Sequence, residues 1–277
     1  PMTQKQGPLK AALIQFNATD DKADNLKRAL MMTQEALKLG AGFVLLPEVF
    51  NFRGDPKNKT MFRGAGERIP GVSSKAFMPL ALKHRAHVLL GSIIEKTASA
   101  YFYNTSVLIG PSGKIIAKYR KIHLFDARLD AKIITEADCF RPGNRTVTAP
   151  VAGFKAGLSI CYDLRFPALY QRYAHQGAGI VTVPACFTRR TGQAHWETLL
   201  RARAIENLAY VLAPAQVGAD GRGVLAHGHS MIVSPWGEVL ACGSGDKEEI
   251  IFGHIDIEEI KKARQALPGI IERPPSK

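Results

Sequence analysis

The sequence predicts an α/β fold in which a system of mixed β-sheets is covered by helices. Predicted strands and helices alternate along most of the chain, the first unit is β-α-β, and tight turns mark antiparallel hairpins. The 277 residues, 46% of them hydrophobic, suffice for a substantial core, and no linker or repeat divides them. We therefore expect a single domain over residues 1–277, with a core at about 9–257 and a C-terminal helix and tail at 258–277.

The first half of the chain contains the β-α-β unit and a hairpin. Short apolar runs predict strands over residues 9–16, 42–46, 87–94, 104–109 and 114–120. Helical spacing of apolar residues predicts helices over 23–39 and 70–84. Gly40 ends the first helix, and Gly110-Pro-Ser-Gly113 forms the hairpin turn before the last strand.

The second half continues the alternation after a segment without periodicity. Residues 122–145 are predicted to form a long loop region, whose action as a lid the sequence leaves open. The further strands are predicted to end at Cys161 and to cover residues 179–184, 210–215 and 250–255. The further helices are predicted over 167–175, 194–209 and 258–266, with a hairpin around Pro235-Trp-Gly237. Ligands of such folds bind beyond the carboxyl ends of strands, where Cys161 falls.

Composition excludes several classes of protein. The four cysteines are widely separated, without a CxxC pair, and the eight histidines are scattered, so we expect neither disulfides nor a metal site. The net charge of +13 is spread along the chain without aromatic interleaving, so we expect no nucleic-acid partner and instead an affinity for small anions. Without a stretch long enough to span a bilayer or a signal-peptide core, the chain is expected to be cytoplasmic, with no membrane partner.

Three predicted strand ends carry reactive groups. Glu48 follows the apolar run Val-Leu-Leu-Pro, Lys121 follows the second strand of the hairpin, and Cys161 follows Leu-Ser-Ile. If these ends converge, they supply a base, an electrophilic stabiliser and a nucleophile. Taken singly, each has an ordinary structural interpretation: a solvated loop carboxylate, a surface lysine and a small buried hydrophobe.

Taken together, the three segments resemble the nitrilase, or carbon–nitrogen hydrolase, superfamily. The matching motifs are Leu-Pro-Glu48, Tyr-Arg-Lys121-Ile-His-Leu-Phe-Asp126 and Ile-Cys161-Tyr-Asp-Leu-Arg-Phe-Pro167, with further matches over 192–207 and 228–237. The resemblance implies a four-layer α-β-β-α sandwich. It also implies a homodimer or higher homo-oligomer, in which the helices after Cys161 and over 194–209 face the partner. The pairs Glu197–Arg201 and Arg203–Glu206 lie on the second of these helices, and solvated surface pairs are the alternative interpretation.

The resemblance also implies a role for each site residue. Cys161 would be the nucleophile and Glu48 the general base, while Lys121 and the backbone N–H of Tyr162 would hold the oxyanion. Glu136 matches the second glutamate of the family, which would position the substrate or Lys121 or share proton transfer. The implied reaction is hydrolysis of a non-peptide amide through a thioester, with release of ammonia and without a metal or organic cofactor.

The segment around Cys161 is most similar to the Nit subgroup, whose members are ω-amidases and deaminated-glutathione amidases. Arg165 would then bind a substrate carboxylate, or alternatively pair with Asp163 or a loop carboxylate, and Phe187 and Thr191 would line the acyl pocket. An N-carbamoyl amino acid amidohydrolase and a nitrilase remain alternatives. A catalytically retired binding or scaffold protein is the alternative from a different class.

Overall fold

The computed structural model describes residues 7–55, 57–98, 101–129 and 132–269. Its strands are β1 Leu9–Gln15, β2 Phe43–Leu45, β3 His87–Lys96, β4 Phe102–Ile109, β5 Ile115–Arg120, β6 Asp126–Leu129, β7 Lys132–Thr135, β8 Thr148–Val151, β9 Phe154–Leu158, β10 Ile180–Thr182, β11 Tyr210–Ala213, β12 Met231–Val233, β13 Val239–Cys242 and β14 Glu249–Ile255. Its helices are α1 Lys22–Lys38, α2 Lys59–Ala65, α3 Val72–His84, α4 Pro167–His175, α5 Arg189–Asn207 and α6 Ile257–Ala266. None of the described helices is long and apolar enough to cross a membrane.

The strands form two six-stranded mixed sheets and one small hairpin. The first sheet has the order β14-β1-β2-β3-β4-β5, and the second has the order β13-β12-β11-β10-β9-β8. Three parallel strands lie inside each sheet, β1-β2-β3 in the first and β9-β10-β11 in the second. Antiparallel strands complete both sheets on either side. The alternation predicted a mixed sheet system, and this topology confirms it.

Alternation of side chains along β1 shows how the layers are ordered. Ala12 and Ile14 pack in one cluster with residues of α1 and α3. Ala11 and Leu13 point to the opposite face and pack in a second cluster with the second sheet, α4 and α5. The order of layers is therefore helix, sheet, sheet, helix, which confirms the predicted α-β-β-α sandwich.

Local chemistry explains where the helices begin. The Asp21 side chain caps α1 by accepting hydrogen bonds from the N–H groups of Ala23 and Asp24 at 3.0 Å. Pro167 occupies the first turn of α4, where a missing N–H costs nothing. Helix α5 begins at Arg189, five residues earlier than predicted, with Thr188 as its cap. Gly192 lies inside this helix, where the close approach of His227 requires glycine, because a Cβ there would lie 2.1 Å from the His227 ring.

The prediction of a loop over residues 122–145 is wrong in part, because the segment also contains regular structure. Strands β6 and β7 form a hairpin inside it, followed by a 3₁₀ turn over Glu136–Asp138. Each strand has only four residues, too few for a period-two pattern to stand out. Helix α2 was missed for a similar reason, since it has seven residues and contains Gly64.

Candidate active site

Glu48, Lys121 and Cys161 meet at the seam between the two sheets. Glu48 lies three residues beyond β2 and Lys121 directly follows β5, both from the first sheet, whereas Cys161 lies three residues beyond β9 of the second sheet. All three residues are buried, with exposed fractions of 5%, 2% and 7%. The predicted convergence of these strand ends is thus present in the structure.

The Lys121 ammonium lies between two carboxylates. Its Nζ donates to Glu48 Oε1 at 2.8 Å and to Glu136 Oε2 at 2.7 Å. Burial alone would lower the pKa of Lys121, but the charges of Glu136 and Glu48 outweigh it and hold that pKa well above its usual value. Lys121 is therefore a permanent cation that can stabilise negative charge forming nearby.

Glu136 is fully engaged by hydrogen bonds. Its Oε2 accepts from Lys121 Nζ and from the Phe125 N–H at 2.7 Å, and its Oε1 accepts from Asn104 Nδ2 at 2.9 Å. Backbone bonds hold the same turn, since the Glu136 N–H donates to the Phe125 carbonyl at 2.9 Å. Of the roles that the resemblance left open, this geometry fits the positioning of Lys121.

Cys161 opens a 3₁₀ turn over Cys161–Arg165 in a left-handed backbone conformation, with φ of 49°. Such a conformation costs a non-glycine residue about 1–3 kcal/mol and persists where its surroundings enforce it. The Cys161 N–H donates to the Pro184 carbonyl at 2.9 Å, which fixes the turn against the loop after β10. The strained turn presents the thiol to a cavity rather than to the core.

The surroundings of Cys161 favour the protonated thiol over the thiolate. Burial and the neighbouring Glu48 carboxylate raise the pKa of Cys161 well above its usual value, and Lys121 only partly counteracts them. A thiol with a raised pKa needs a base at the moment of attack. Glu48 is the carboxylate adjacent to the thiol.

Asp163 organises the turn, a role that the sequence did not predict. Its fully buried carboxylate accepts from the Tyr119 hydroxyl at 2.7 Å and the Ile160 N–H at 2.9 Å through Oδ2. Through Oδ1 it accepts from the His123 N–H at 3.0 Å and contacts His123 Nδ1 at 2.7 Å. Asp163 thereby ties the turn that carries Cys161 to the segment that carries Lys121.

Arg165 does not use Asp163 as its partner, so that alternative interpretation is wrong. Its two terminal nitrogens each lie 3.4 Å from His195 Nδ1 on α5. The guanidinium carbon lies 5.3 Å from the centre of the Phe187 ring and 5.6 Å from that of Tyr162. The guanidinium is thus held among aromatic side chains with donors left for a ligand.

A cavity of about 280 Å³ opens over the site. Tyr162, Arg165, Phe187 and Thr191, all predicted from the sequence, line it together with the four charged and thiol residues of the site. Thr191 lies in the first turn of α5, with its Oγ1 2.9 Å from Thr188 Oγ1.

The cavity lining has an excess of positive charge. Its basic side chains are Arg53, Lys57, Lys59, Lys121, Arg165 and Arg222, and its acidic ones are Glu48, Glu136, Asp138 and Asp220. Asp220 pairs with Arg222 at 2.7 Å, and Lys121 neutralises one of the two glutamate charges that it contacts, but the basic side chains still outnumber the acidic ones. Such a lining attracts an anionic ligand. Within the described ranges no three His, Cys, Asp or Glu side chains are arranged to hold a metal ion.

Asn104 is a second site residue that the sequence did not identify. It lies on β4, is 1% exposed and lines the cavity. Its Nδ2 donates to Oε1 of both Glu48 and Glu136 at 2.9 Å. The available signal was an amide at the start of the strand predicted over residues 104–109, since an amide that a strand buries needs hydrogen-bond partners.

An α-β-β-α sandwich with a carboxylate, an ammonium and a thiol at the seam of its sheets is the arrangement expected of the nitrilase superfamily. The profile of the family described as Carbon-nitrogen hydrolase matches residues 10–265. The chain belongs to this family, and it is an enzyme that hydrolyses carbon–nitrogen bonds.

Individual relatives agree with this assignment. The chain is 40% identical over 260 residues to the omega-amidase NIT2 of Mus musculus and to that of Homo sapiens, covering 94% of this chain and 92% of each relative. Among solved structures, the NitFhit protein of C. elegans matches with a TM-score of 0.89 and 34% identity, over 98% of this chain and 66% of that one. Saccharomyces cerevisiae Nit3 matches with a TM-score of 0.84 and 33% identity, over 95% of both chains.

Proposed function

We propose that the protein is an amidase of the ω-amidase type, which releases ammonia from a small amide that carries a carboxylate elsewhere. The observation that carries this proposal is the Cys161 thiol beside Glu48 and Lys121 in a cavity with excess positive charge. The similarity to omega-amidases NIT2 over 94% of the chain supports the same class of substrate.

The proposed reaction has two stages. Glu48 takes the thiol proton as Cys161 Sγ attacks the amide carbonyl carbon, and the carbonyl electrons move to an oxyanion beside Lys121 Nζ and the Tyr162 N–H. The oxyanion collapses, the C–N bond breaks, and Glu48 returns the proton to the departing ammonia. A water molecule, deprotonated by Glu48, then attacks the thioester carbonyl, which frees the carboxylic acid and restores the thiol. Glu136 acts by holding Lys121 in place.

Substrate selection is assigned to the cavity wall beside Cys161. The planar guanidinium of Arg165 suits bidentate binding of a carboxylate. It is four residues from the nucleophile along the same turn, so one short segment binds the substrate and reacts with it. Phe187 and Thr191 line the cavity near it and are proposed to contact the acyl chain.

Two variants test the reaction and the substrate class separately. Cys161→Ala should abolish ammonia release while leaving the thermal unfolding of the protein intact, and full ammonia release by this variant would contradict the mechanism. Arg165→Ala should lose the preference for α-ketoglutaramate over an uncharged aliphatic amide of equal length. Arg172→Ala, which removes an exposed arginine of α4 outside the cavity, is the matched control and should keep that preference.

A panel of substrates separates the remaining alternatives. N-carbamoyl amino acids would also engage Arg165, and nitriles would use the same thiol, so both belong beside dicarboxylic monoamides in the assay. Site-resolved labelling with iodoacetamide addresses the retired-scaffold alternative. In an enzyme Cys161 should react much faster than Cys139, Cys186 and Cys242, whereas equal rates would favour a scaffold.

We also propose a homodimer that buries the outer face formed by α4 and α5. Ile205 and Trp236 support it, because these large apolar side chains are 44% and 58% exposed in the single chain. In light-scattering measurements Ile205→Glu should shift the protein towards monomer, whereas Met31→Glu, at an exposed position of α1, should not. A monomeric wild type would refute the proposal.

The two ion pairs on α5 differ in how they relate to the proposed dimer. Glu197–Arg201, at 3.4 Å, is largely exposed in the single chain. Arg203, at 3.0 Å from Glu206, is instead buried and its Nε donates to the Leu164 carbonyl at 3.0 Å, so it supports the turn that carries Cys161.

A cytoplasmic location is proposed as well, supported by a chemistry that needs a reduced thiol and by four cysteines that form no disulfide.

A further inference from the structure

Asn104 contacts all three charged residues around the thiol, two of them through their carboxylates and Lys121 through its backbone. Its Nδ2 bridges Glu48 Oε1 and Glu136 Oε1 at 2.9 Å each, and its backbone carbonyl accepts from the Lys121 N–H at 2.9 Å. It does so from β4, which neighbours the strand that carries Lys121. One buried amide therefore spans two carboxylates that would otherwise face each other across a single ammonium.

The hydrogen bonds distinguish the two carboxylates. Glu48 receives both Lys121 Nζ, at 2.8 Å, and Asn104 Nδ2 on the same oxygen, Oε1. This arrangement leaves Oε2 for the Cys161 thiol. Glu136 receives donors on both of its oxygens. The amide of Asn104 thus takes part in determining which carboxylate, and which of its oxygens, has a lone pair available for a proton.

The unpaired carbonyl oxygen of the Asn104 side chain indicates that the amide serves here as a hydrogen-bond donor. Its Oδ1 is buried and accepts no hydrogen bond from any residue in the described part of the chain. An unsatisfied buried acceptor is unfavourable. A side chain serving only to fill space at this position would avoid that cost, whereas an amide is needed to present two N–H groups to two carboxylates.

We infer that Asn104 is a positioning residue for the general base, which holds Glu48 with Oε2 towards the thiol. The inference rests on the proposed role of Glu48. Asn104 Nδ2 and Lys121 Nζ together fix Glu48 Oε1. Without the amide donor the carboxylate is held by one hydrogen bond instead of two and can turn Oε2 away from the thiol.

The test uses the full chain with Asn104→Leu, which keeps the volume without donors, and Asn104→Asp, which keeps the shape. The first readout is the rate of Cys161 alkylation by iodoacetamide against pH, resolved by peptide mass spectrometry. The second is kcat/KM for α-ketoglutaramate over the same pH range. Thr105→Val is the matched control, since Thr105 is buried on the same strand and loses its own hydrogen bond to Glu95, at 2.8 Å, outside the site.

Both Asn104 variants should alkylate at Cys161 about 10- to 100-fold more slowly at pH 7, the loss expected when a hydrogen bond to a charged group is removed. The value of kcat/KM should fall by a similar factor, and Thr105→Val should leave both rates unchanged. Wild-type rates of alkylation and turnover in a folded Asn104 variant, or the same losses in Thr105→Val, would overturn the inference. If the wild type releases no ammonia, the proposed function fails, while the alkylation profiles still decide the role of Asn104.

Discussion

Replacing Asp163 by asparagine should destabilise the protein far more than the near-identical size of the two side chains suggests. The carboxylate is completely buried and accepts from two backbone N–H groups, those of Ile160 and His123, at 2.9 and 3.0 Å. It also contacts the Tyr119 hydroxyl and His123 Nδ1, both at 2.7 Å.

The size of the loss in stability depends on which of these hydrogen-bond partners can accept as well as donate. A hydroxyl and a neutral imidazole nitrogen can each accept from the new amide NH₂, but a backbone N–H only donates. An asparagine has one carbonyl oxygen, so either Ile160 or His123 is left with an N–H that faces another donor. A buried donor without a partner costs about 1–3 kcal/mol. The remaining hydrogen bonds are weaker as well, because they are made to a neutral amide instead of a carboxylate. The free energy of unfolding should therefore fall by about 2–4 kcal/mol.

Urea unfolding at pH 7 measures this loss, with Tyr119→Phe as the graded control. That variant removes one donor to Asp163 and the long, 3.4 Å hydrogen bond that the Ile122 N–H makes to the hydroxyl, while both N–H groups bound by Asp163 keep their acceptor, so it should cost roughly 1–2 kcal/mol. Asp163→Asn should also slow alkylation of Cys161, because the left-handed turn loses one of its anchors. A free energy of unfolding within about 0.5 kcal/mol of the wild type, the usual effect of a surface substitution, would refute this account of the turn.

Two further predictions concern histidines. His195→Ala should raise KM for α-ketoglutaramate about 3- to 10-fold with kcat unchanged, because Arg165 loses the acceptor that holds both of its terminal nitrogens, and His195→Asn should restore part of the loss. Burial, aided by the charges of His229 and Arg189, lowers the pKa of His227 to about 4. The unfolded chain then binds more protons below pH 6.5, so stability should fall as the pH drops towards 4, by about 1 kcal/mol between pH 7 and pH 5 for this partly exposed ring. Urea titrations at both pH values should show a smaller loss for His227→Gln, and an equal loss would contradict the assignment.

The sequence was most informative where a local pattern and a chemical group coincide. Apolar runs located β1, β3 and β11 to within a few residues, and the resemblance selected Glu48, Lys121 and Cys161 at the ends of their strands. The hairpin of β6 and β7 and the helix α2 were missed because their elements are too short for periodicity to be recognised. That residues 1–277 form a single domain stays a prediction.

The same reasoning could not identify hydrogen-bond partners that lie far apart in the sequence. Asn104 meets Glu48 across 56 residues, and Asp163 meets His123 across 40. A pattern shows that a buried amide or carboxylate needs partners, but not which remote side chain the fold supplies. The alternative interpretation that paired Arg165 with Asp163 was wrong for this reason, since Asp163 points inward to partners on another segment.

The location of the site at the seam of two sheets has a consequence for the newly synthesised chain. The Glu48 carboxylate and the Lys121 ammonium belong to the first sheet, the Cys161 thiol belongs to the second, and β14 completes the first sheet only after every strand of the second has been made. Until the two sheets dock, Cys161 has neither charged group beside it. The appearance of activity therefore reports that both halves of the sandwich have come together.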